Sequence, residues 1–291
     1  MNLPLPFALL ALAILLVWVP ALRVGALSVP PWTLAFAAAC ACALTSSPQV
    51  LDAGAFAALA ALVALAWGAV AAPRGRPLLA TAATVLALAM SVHLVPGFRP
   101  VTLVHDLRLT PDASPFSLAP NFDKPAAGLV LLAAFCLRAT SWRQFGSQAL
   151  AILVTALATC AVAIGIALAT GYVRFEPKWP AVTLAFLLTN LLFTCVAEEA
   201  FFRGLIQERL MRLAEARGQA AWKWGAIAAS TLLFGLAHVG GGPAWMLAAT
   251  VAGLGYAVIY ARTRTTEGAI LVHFAVNAAH FVGFTYPRLA G

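Results

Sequence analysis

Two adjacent carboxylates, Glu198 and Glu199, close an apolar run that begins near Ala181 and holds no earlier charge. An acid in such a run costs roughly 2.5–3.5 kcal/mol at mid-membrane, so it is a functional candidate by default. On a regular helix Glu199 and Arg203 are four apart, share a face and can pair. Glu198 sits about 100° round from Glu199 and gains nothing from Arg203, which leaves it for acid–base chemistry. The plainer alternative is that both acids mark the water interface where a helix ends. Two later apolar runs carry more polar groups. In 222–239, His238 follows Phe234 by four residues, so both point to one face. In 268–284, His273, Asn277 and His280 recur at i, i+4 and i+7 as one polar stripe. Polar groups this costly, gathered in three of the last four apolar runs, must face the bundle interior and find partners there. The same stripe could be a helix–helix hydrogen-bond seam with no chemistry. The earlier apolar runs offer only His93 as a comparable group.

The elements that must carry these groups are membrane helices. Apolar residues make up 63% of the chain and charged residues 10%, against about 25% charged in soluble domains. Long apolar runs fall at 3–22, 31–50, 53–72, 77–96, 125–138, 146–170, 181–202, 222–239, 243–261 and 267–284. Backbone at lipid depth must satisfy its own hydrogen bonds, so the expected fold is an all-α polytopic membrane helix bundle of about eight to ten transmembrane helices. The 125–138 run is short for a ~30 Å core, and the 31–50 run is broken by Thr45-Ser46-Ser47-Pro48. The 3–22 run lacks a basic residue ahead of it and a small-residue cleavage site, so it reads as a retained helix. Cys40, Cys42, Cys136, Cys160 and Cys195 lie inside apolar runs without metal-ligand spacing and read as packing residues.

The net charge of +8 sits between the runs, which points to lipid and topology and away from nucleic acid. With ten spans, one side collects Arg23, Arg74, Arg76, Arg138, Arg143, Arg203, Arg209, Arg212, Arg217, Lys223, Arg262 and Arg264. The other collects Arg99, Arg108, Lys124, Arg174, Lys178 and Arg288, so the first set is expected in the cytoplasm. The segment Pro96–Pro125, broken by prolines, reads as a solvated loop or a lid. Arg203–Lys223, with Leu205, Ile206, Leu210, Leu213 and Ala214 on one face, reads as an amphipathic helix at the interface. One tension follows: Glu198 would lie about 7 Å from the Arg203 end of its helix, and His238 about 22 Å beyond Lys223.

Three stretches, EEAFFRG at 198–204, FGLAH at 234–238 and HFAVN at 273–277, resemble the EExxxR, FxxxH and HxxxN motifs of the CAAX protease and bacteriocin-processing family. That family of intramembrane endopeptidases includes the type II CAAX prenyl endopeptidases. The resemblance covers about 180–284; NFDKPAAG at 121–128 is also similar to bacterial members. It implies a glutamate-type peptidase in which Glu198 activates water, His238 assists it, and His273 and Asn277 stabilise the oxyanion. Glu199, Arg203 and Phe234 would support them. The implied organisation is a set of N-terminal membrane helices over 1–145 and a catalytic bundle over 146–291. The implied substrate is a protein or peptide with a C-terminal or membrane-spanning tail, prenylated in the CAAX case, and the implied location a multi-pass protein of a bacterial inner membrane.

Metal-free catalysis is the preferred chemistry. The rival is zinc held by Glu198, His238 and His273, which do not form a His-Glu-x-x-His pattern and would leave Asn277 without a role. Two readings outside the peptidase class stay open: a proton-coupled transporter relaying protons through Glu198, His238 and His273, and a non-catalytic family scaffold.

Overall fold

The computed structural model describes residues 3–25, 27–72 and 75–290. Arg74, one of the charges in the orientation count, lies outside them. Each of the ten apolar runs contains a helix: α1 Leu5–Leu16, α2 Pro31–Thr45, α3 Ala53–Ala71, α4 Arg76–Ser91, α5 Asp123–Phe135, α6 Trp142–Ala169, α7 Thr183–Ala216, α8 Lys223–Leu236, α9 Pro243–Thr263 and α10 Thr266–Gly283. Of the described helices, α3, α6, α7 and α9 are long and apolar enough to cross a membrane, while α1, α2, α4 and α8 are shorter apolar helices. The protein is a polytopic helical membrane protein.

The first run departs from its expected form. It does not continue as one helix to Leu22: α1 stops at Leu16, and an antiparallel pair of short strands, β1 Leu22–Val24 and β2 Leu27–Val29, follows. Pro20 and Pro30 bracket this hairpin; proline donates no backbone hydrogen bond and favours extended or turn conformations. At about 1.5 Å per residue, the 12 residues of α1 reach only ~18 Å. Helix starts obey local chemistry. The Asp52 carboxylate accepts from Ala55 N at 3.0 Å to cap α3, and Ser141 Oγ accepts from Gln144 N at 3.2 Å to cap α6.

The chain divides into two compact units. The first comprises Met1–Leu103, Leu118–Phe135 and Leu192–Ala200. Its centre is α5, which packs against α1, α3, α4 and the α7 residues 196–199. That role explains its shortness: Ala126, Ala127, Leu129, Val130, Leu131 and Leu132 are all buried, so α5 is a protein core and shows little surface to lipid. Phe7 on α1 packs its ring 5.9 Å from Phe122 and 6.0 Å from Phe193.

The second unit comprises Val104–Ser117, Cys136–Leu191 and Phe201–Gly291. Here α9 packs against α6, α8 and α10, and α10 also packs against α6. The other face of α6 leaves Leu150, Leu153, Val154 and Leu157 exposed, an apolar surface suited to acyl chains. The expected loop after Pro96 contains strands β3 Val104–Leu107 and β4 Phe116–Leu118. Residues 110–114 of that loop meet the C-terminal tail: Ser114 N donates to Arg288 O at 2.9 Å and Ala290 N to Asp112 O at 2.8 Å. Glu176 joins the same tail, accepting from Thr110 Oγ1 at 2.8 Å and Thr285 Oγ1 at 2.9 Å, and Arg174 pairs with Asp112.

The main revision concerns α7. The amphipathic interfacial helix expected over Arg203–Lys223 does not form as a separate element: α7 runs unbroken through 34 residues, with π-helical winding over Asn190–Cys195 and Ala200–Gln207. Arg203, Gln207 and Glu208 are buried along with Leu205 and Ala214, whereas Leu210 and Leu213 are exposed, so the expected apolar face holds only in part. The cause is a set of polar partners, most of them outside α7. Gln207 Nε2 donates to Ala257 O at 2.8 Å, and Glu208 accepts from Tyr260 Oη at 2.9 Å, Arg212 Nε at 2.7 Å and Arg264 Nη2 at 2.8 Å. Glu198 therefore lies mid-helix, 18 residues and ~27 Å before Ala216. The tension over depth in the sequence reading rested on a helix ending at Arg203, and that premise fails.

Candidate active site

Glu198 and Glu199 occupy the single α-helical turn Val196–Glu199 between the two π-helical stretches of α7. Interruptions of this kind are frequent at functional sites, because i→i+5 bonding changes the direction of side chains along a helix. Arg203 lies within the second stretch, so the α-helical spacing used to align it with Glu199 does not carry over unchanged. Glu199 and Arg203 are both fully buried. Glu198 is partly buried and belongs to the first unit, where its Oε1 lies 2.6 Å from Lys124 Nζ on α5. Glu198 thus has a counter-charge from a residue the spacing along its own helix did not suggest. The cation comes from the NFDKPAAG stretch, 74 residues earlier in the chain.

The second unit holds the remaining motif residues. Arg203 Nη1 donates to Ser230 Oγ at 2.6 Å and to Ser230 O at 3.3 Å on α8, and Nη2 donates to Gly253 O at 3.2 Å on α9. One buried guanidinium thus ties α7 to both neighbouring helices. It also lies 5.1 Å from the Phe234 ring centroid, within cation–π range. Phe234 in turn contacts both imidazoles, with ring centroids 4.6 Å from His238 and 5.6 Å from His273. Close helix contact fixes this hub: a Cβ added at Gly235 would stand 2.0 Å from Thr250 Oγ1 on α9.

His238 follows the end of α8, and its Nδ1 lies 2.7 Å from Phe234 O. A carbonyl only accepts, so Nδ1 carries the proton; the bond fixes the ring and makes Nε2 the nitrogen for further chemistry. His273 is buried on α10 and stacks on Tyr256 at 4.5 Å. One turn on, Asn277 Nδ2 donates to Asn190 Oδ1 at 3.2 Å, which orients the amide. His238, His273, Asn277 and His280 line one cavity of about 50 Å³, with Phe234, Trp245 and Tyr256 among its walls. That volume has room for a few waters. His280, one turn beyond Asn277, shares the cavity, 5.8 Å from Trp245 and 4.9 Å from Tyr286.

Residues 179–279, about a third of the chain, match the family model for type II CAAX prenyl endopeptidases of the Rce1-like kind. This segment is Rce1-like. Over that segment the chain is similar to intramembrane proteases of the CAAX-processing kind, and its long apolar helices are those of a multi-pass membrane protein. No curated protein and no solved structure matches the chain. Among the described residues, no group of three His, Cys, Asp or Glu side chains is placed to hold a metal ion.

Proposed function

We propose that the protein hydrolyses a peptide bond near the C-terminal or membrane-embedded end of its substrate, with a prenylated cysteine as the favoured recognition group. Glu198 takes a proton from water while the water oxygen bonds to the scissile carbonyl carbon. The oxyanion that forms accepts hydrogen bonds from His273 and Asn277. Collapse of this intermediate breaks the C–N bond, and the proton passes to the leaving amine. His238, with Nδ1 engaged by Phe234 O, uses Nε2 to assist the transfer. No metal takes part. The observation that carries the reading is the gathering of His238, His273 and Asn277 around one small cavity, in a segment that matches a peptidase family. In the cell, the end of the second unit bearing Arg138, Arg143, Arg209, Arg212, Arg217, Arg262 and Arg264 faces the cytoplasm of a bacterial inner membrane.

The test is steady-state hydrolysis, in lipid vesicles, of two internally quenched reporters. One ends in a farnesylated cysteine plus three residues; the other carries the same sequence on a membrane-spanning helix. Removing one oxyanion donor costs about 3 kcal/mol, a factor of 10²–10³ in turnover. His273→Ala and Asn277→Ala are expected to lower kcat by that factor with little change in KM. Normal kcat in both variants would overturn the oxyanion assignment, and failure of the unmodified protein to cleave either reporter would count against the peptidase reading.

A further inference from the structure

The proposed chemistry leaves one cluster of the first unit without a role: a cation against Glu198 and a buried carboxylate beside that cation. We propose that Lys124 is a positioning residue for Glu198, held in place by a latch made of His93, Asn121 and Asp123. This rests on the reading of Glu198 as the general base.

Three observations carry it. First, Lys124 Nζ lies 2.6 Å from Glu198 Oε1, with side chains only 25% and 14% exposed. An ammonium this close supplies the counter-charge that lets a carboxylate remain ionised away from water, and it fixes which oxygen faces the cation. Secondly, α5 delivers Lys124 to that place. A Cβ added at Gly128 would come within 2.5 Å of Ala197 Cα and Cβ, so the two backbones nearly touch at the residue before Glu198. Gly128 is one helical turn from Lys124, and residues at i and i+4 share a face, so the contact that brings α5 against α7 also turns Lys124 towards Glu198.

Thirdly, the start of α5 is tied down by groups that serve no other visible purpose. Asp123 is fully buried. Its Oδ1 accepts from Lys124 N at 2.7 Å, and its Oδ2 lies 2.8 Å from His93 Nδ1 and 3.3 Å from Asn121 Nδ2. His93, just beyond the end of α4, adopts a left-handed backbone with φ of 60°. Such a conformation is uncommon for a residue other than glycine and is kept where surrounding contacts over-determine it. The latch joins the end of α4 to the residue adjoining Lys124. The NFDK sequence is then one device: Asn121 and Asp123 fasten the helix start, and Lys124 acts on the base.

The experiment measures kcat and KM per folded molecule of the full chain in vesicles, on whichever reporter the unmodified protein cleaves. The variants are Lys124→Met, Lys124→Arg and Glu198→Gln, with Lys124→Gln as a polar substitute if Lys124→Met lowers the folded yield. Misplacing a reacting group by about 1 Å can cost about 10²-fold. Lys124→Met is expected to lower kcat by about 100-fold with KM within about threefold, and Lys124→Arg, which restores the charge, to recover most of the loss. A structural ion pair alone predicts loss of folded protein with normal kcat in the remainder; that result overturns the proposal, as does an arginine variant no better than methionine. If Glu198→Gln keeps its turnover, the base assignment fails whatever Lys124 does. If Glu198→Gln is inactive and Lys124→Met is normal, only the role of Lys124 fails.

Discussion

Replacing Arg203 by methionine keeps most of the side-chain volume and deletes the guanidinium, so its effect isolates the polar tie among α7, α8 and α9. The lost bonds include those to Ser230 Oγ at 2.6 Å, Ser230 O at 3.3 Å and Gly253 O at 3.2 Å. Hydrogen bonds to charged groups contribute about 1.5–3 kcal/mol each. Counting one strong bond to each of α8 and α9, the substitution should destabilise the protein by about 3–6 kcal/mol. Arg203→Lys cannot present the same planar fork to two helices, so it should fall between methionine and wild type. The assay is reversible unfolding in mixed micelles by titration with a denaturing detergent, followed by tryptophan fluorescence. Adding Ser230→Ala to each background gives a double-mutant cycle, and a coupling of about 1–3 kcal/mol is expected for groups that share a bond. Arg203→Met within about 1 kcal/mol of wild type, or zero coupling to Ser230, would refute the role assigned to the guanidinium.

Gly235→Ala should cost about 1–3 kcal/mol and lower turnover without removing any reacting group. The added methyl would meet Thr250 Oγ1 at 2.0 Å and push α8, with His238, away from α9; Thr250→Ala in the same chain should restore part of both losses, measured by melting and kcat. Acidification should loosen the C-terminal tail. Burial opposes ionisation of Glu176, but bonds from Thr110, Thr285 and Arg174 outweigh it, and its carboxyl is held below the ordinary glutamate range. A carboxylate shifted down stabilises the fold above its unfolded pKa, and that contribution is lost as pH falls through the folded value. The melting temperature should therefore fall below about pH 4.5 more steeply in wild type than in Glu176→Gln; parallel profiles would contradict this. Hydrolysis should survive exhaustive treatment with EDTA and phenanthroline followed by gel filtration, and activity lost and then restored by zinc would make His238 and His273 ligands.

How much could be read in the sequence depended on the range of the interaction. The ten apolar runs were legible because lipid forces each to close its own hydrogen bonds, whatever its neighbours do. The polar stripe of His273, Asn277 and His280 was legible from spacing on one regular helix, and all three line one cavity. The burial of Arg203, Gln207 and Glu208 was not legible, since their partners Ser230, Gly253, Ala257 and Tyr260 lie on other helices. The π-helical winding on both sides of Glu198 left no local signature of composition. Lys124 gives no sign of its role in the local sequence. Its partner lies 74 residues away, and only the close approach of Gly128 to Ala197 brings them together. A lysine beside an aspartate at a helix start reads as ordinary surface charge until that packing is known.

The central claim is that one carboxylate of the adjacent pair activates water, and it is tested most directly by Glu198→Gln, which keeps the side-chain shape and removes the base. Turnover of the reporter per folded molecule should fall by at least about 10²–10⁴-fold, the usual contribution of a positioned general base, while melting temperature and KM stay near wild type. Glu199→Gln, measured alongside, should act on stability and leave kcat of the folded protein within about tenfold, a difference of about 1.4 kcal/mol. A Glu198→Gln protein that cleaves the reporter at a near-normal rate would contradict the account.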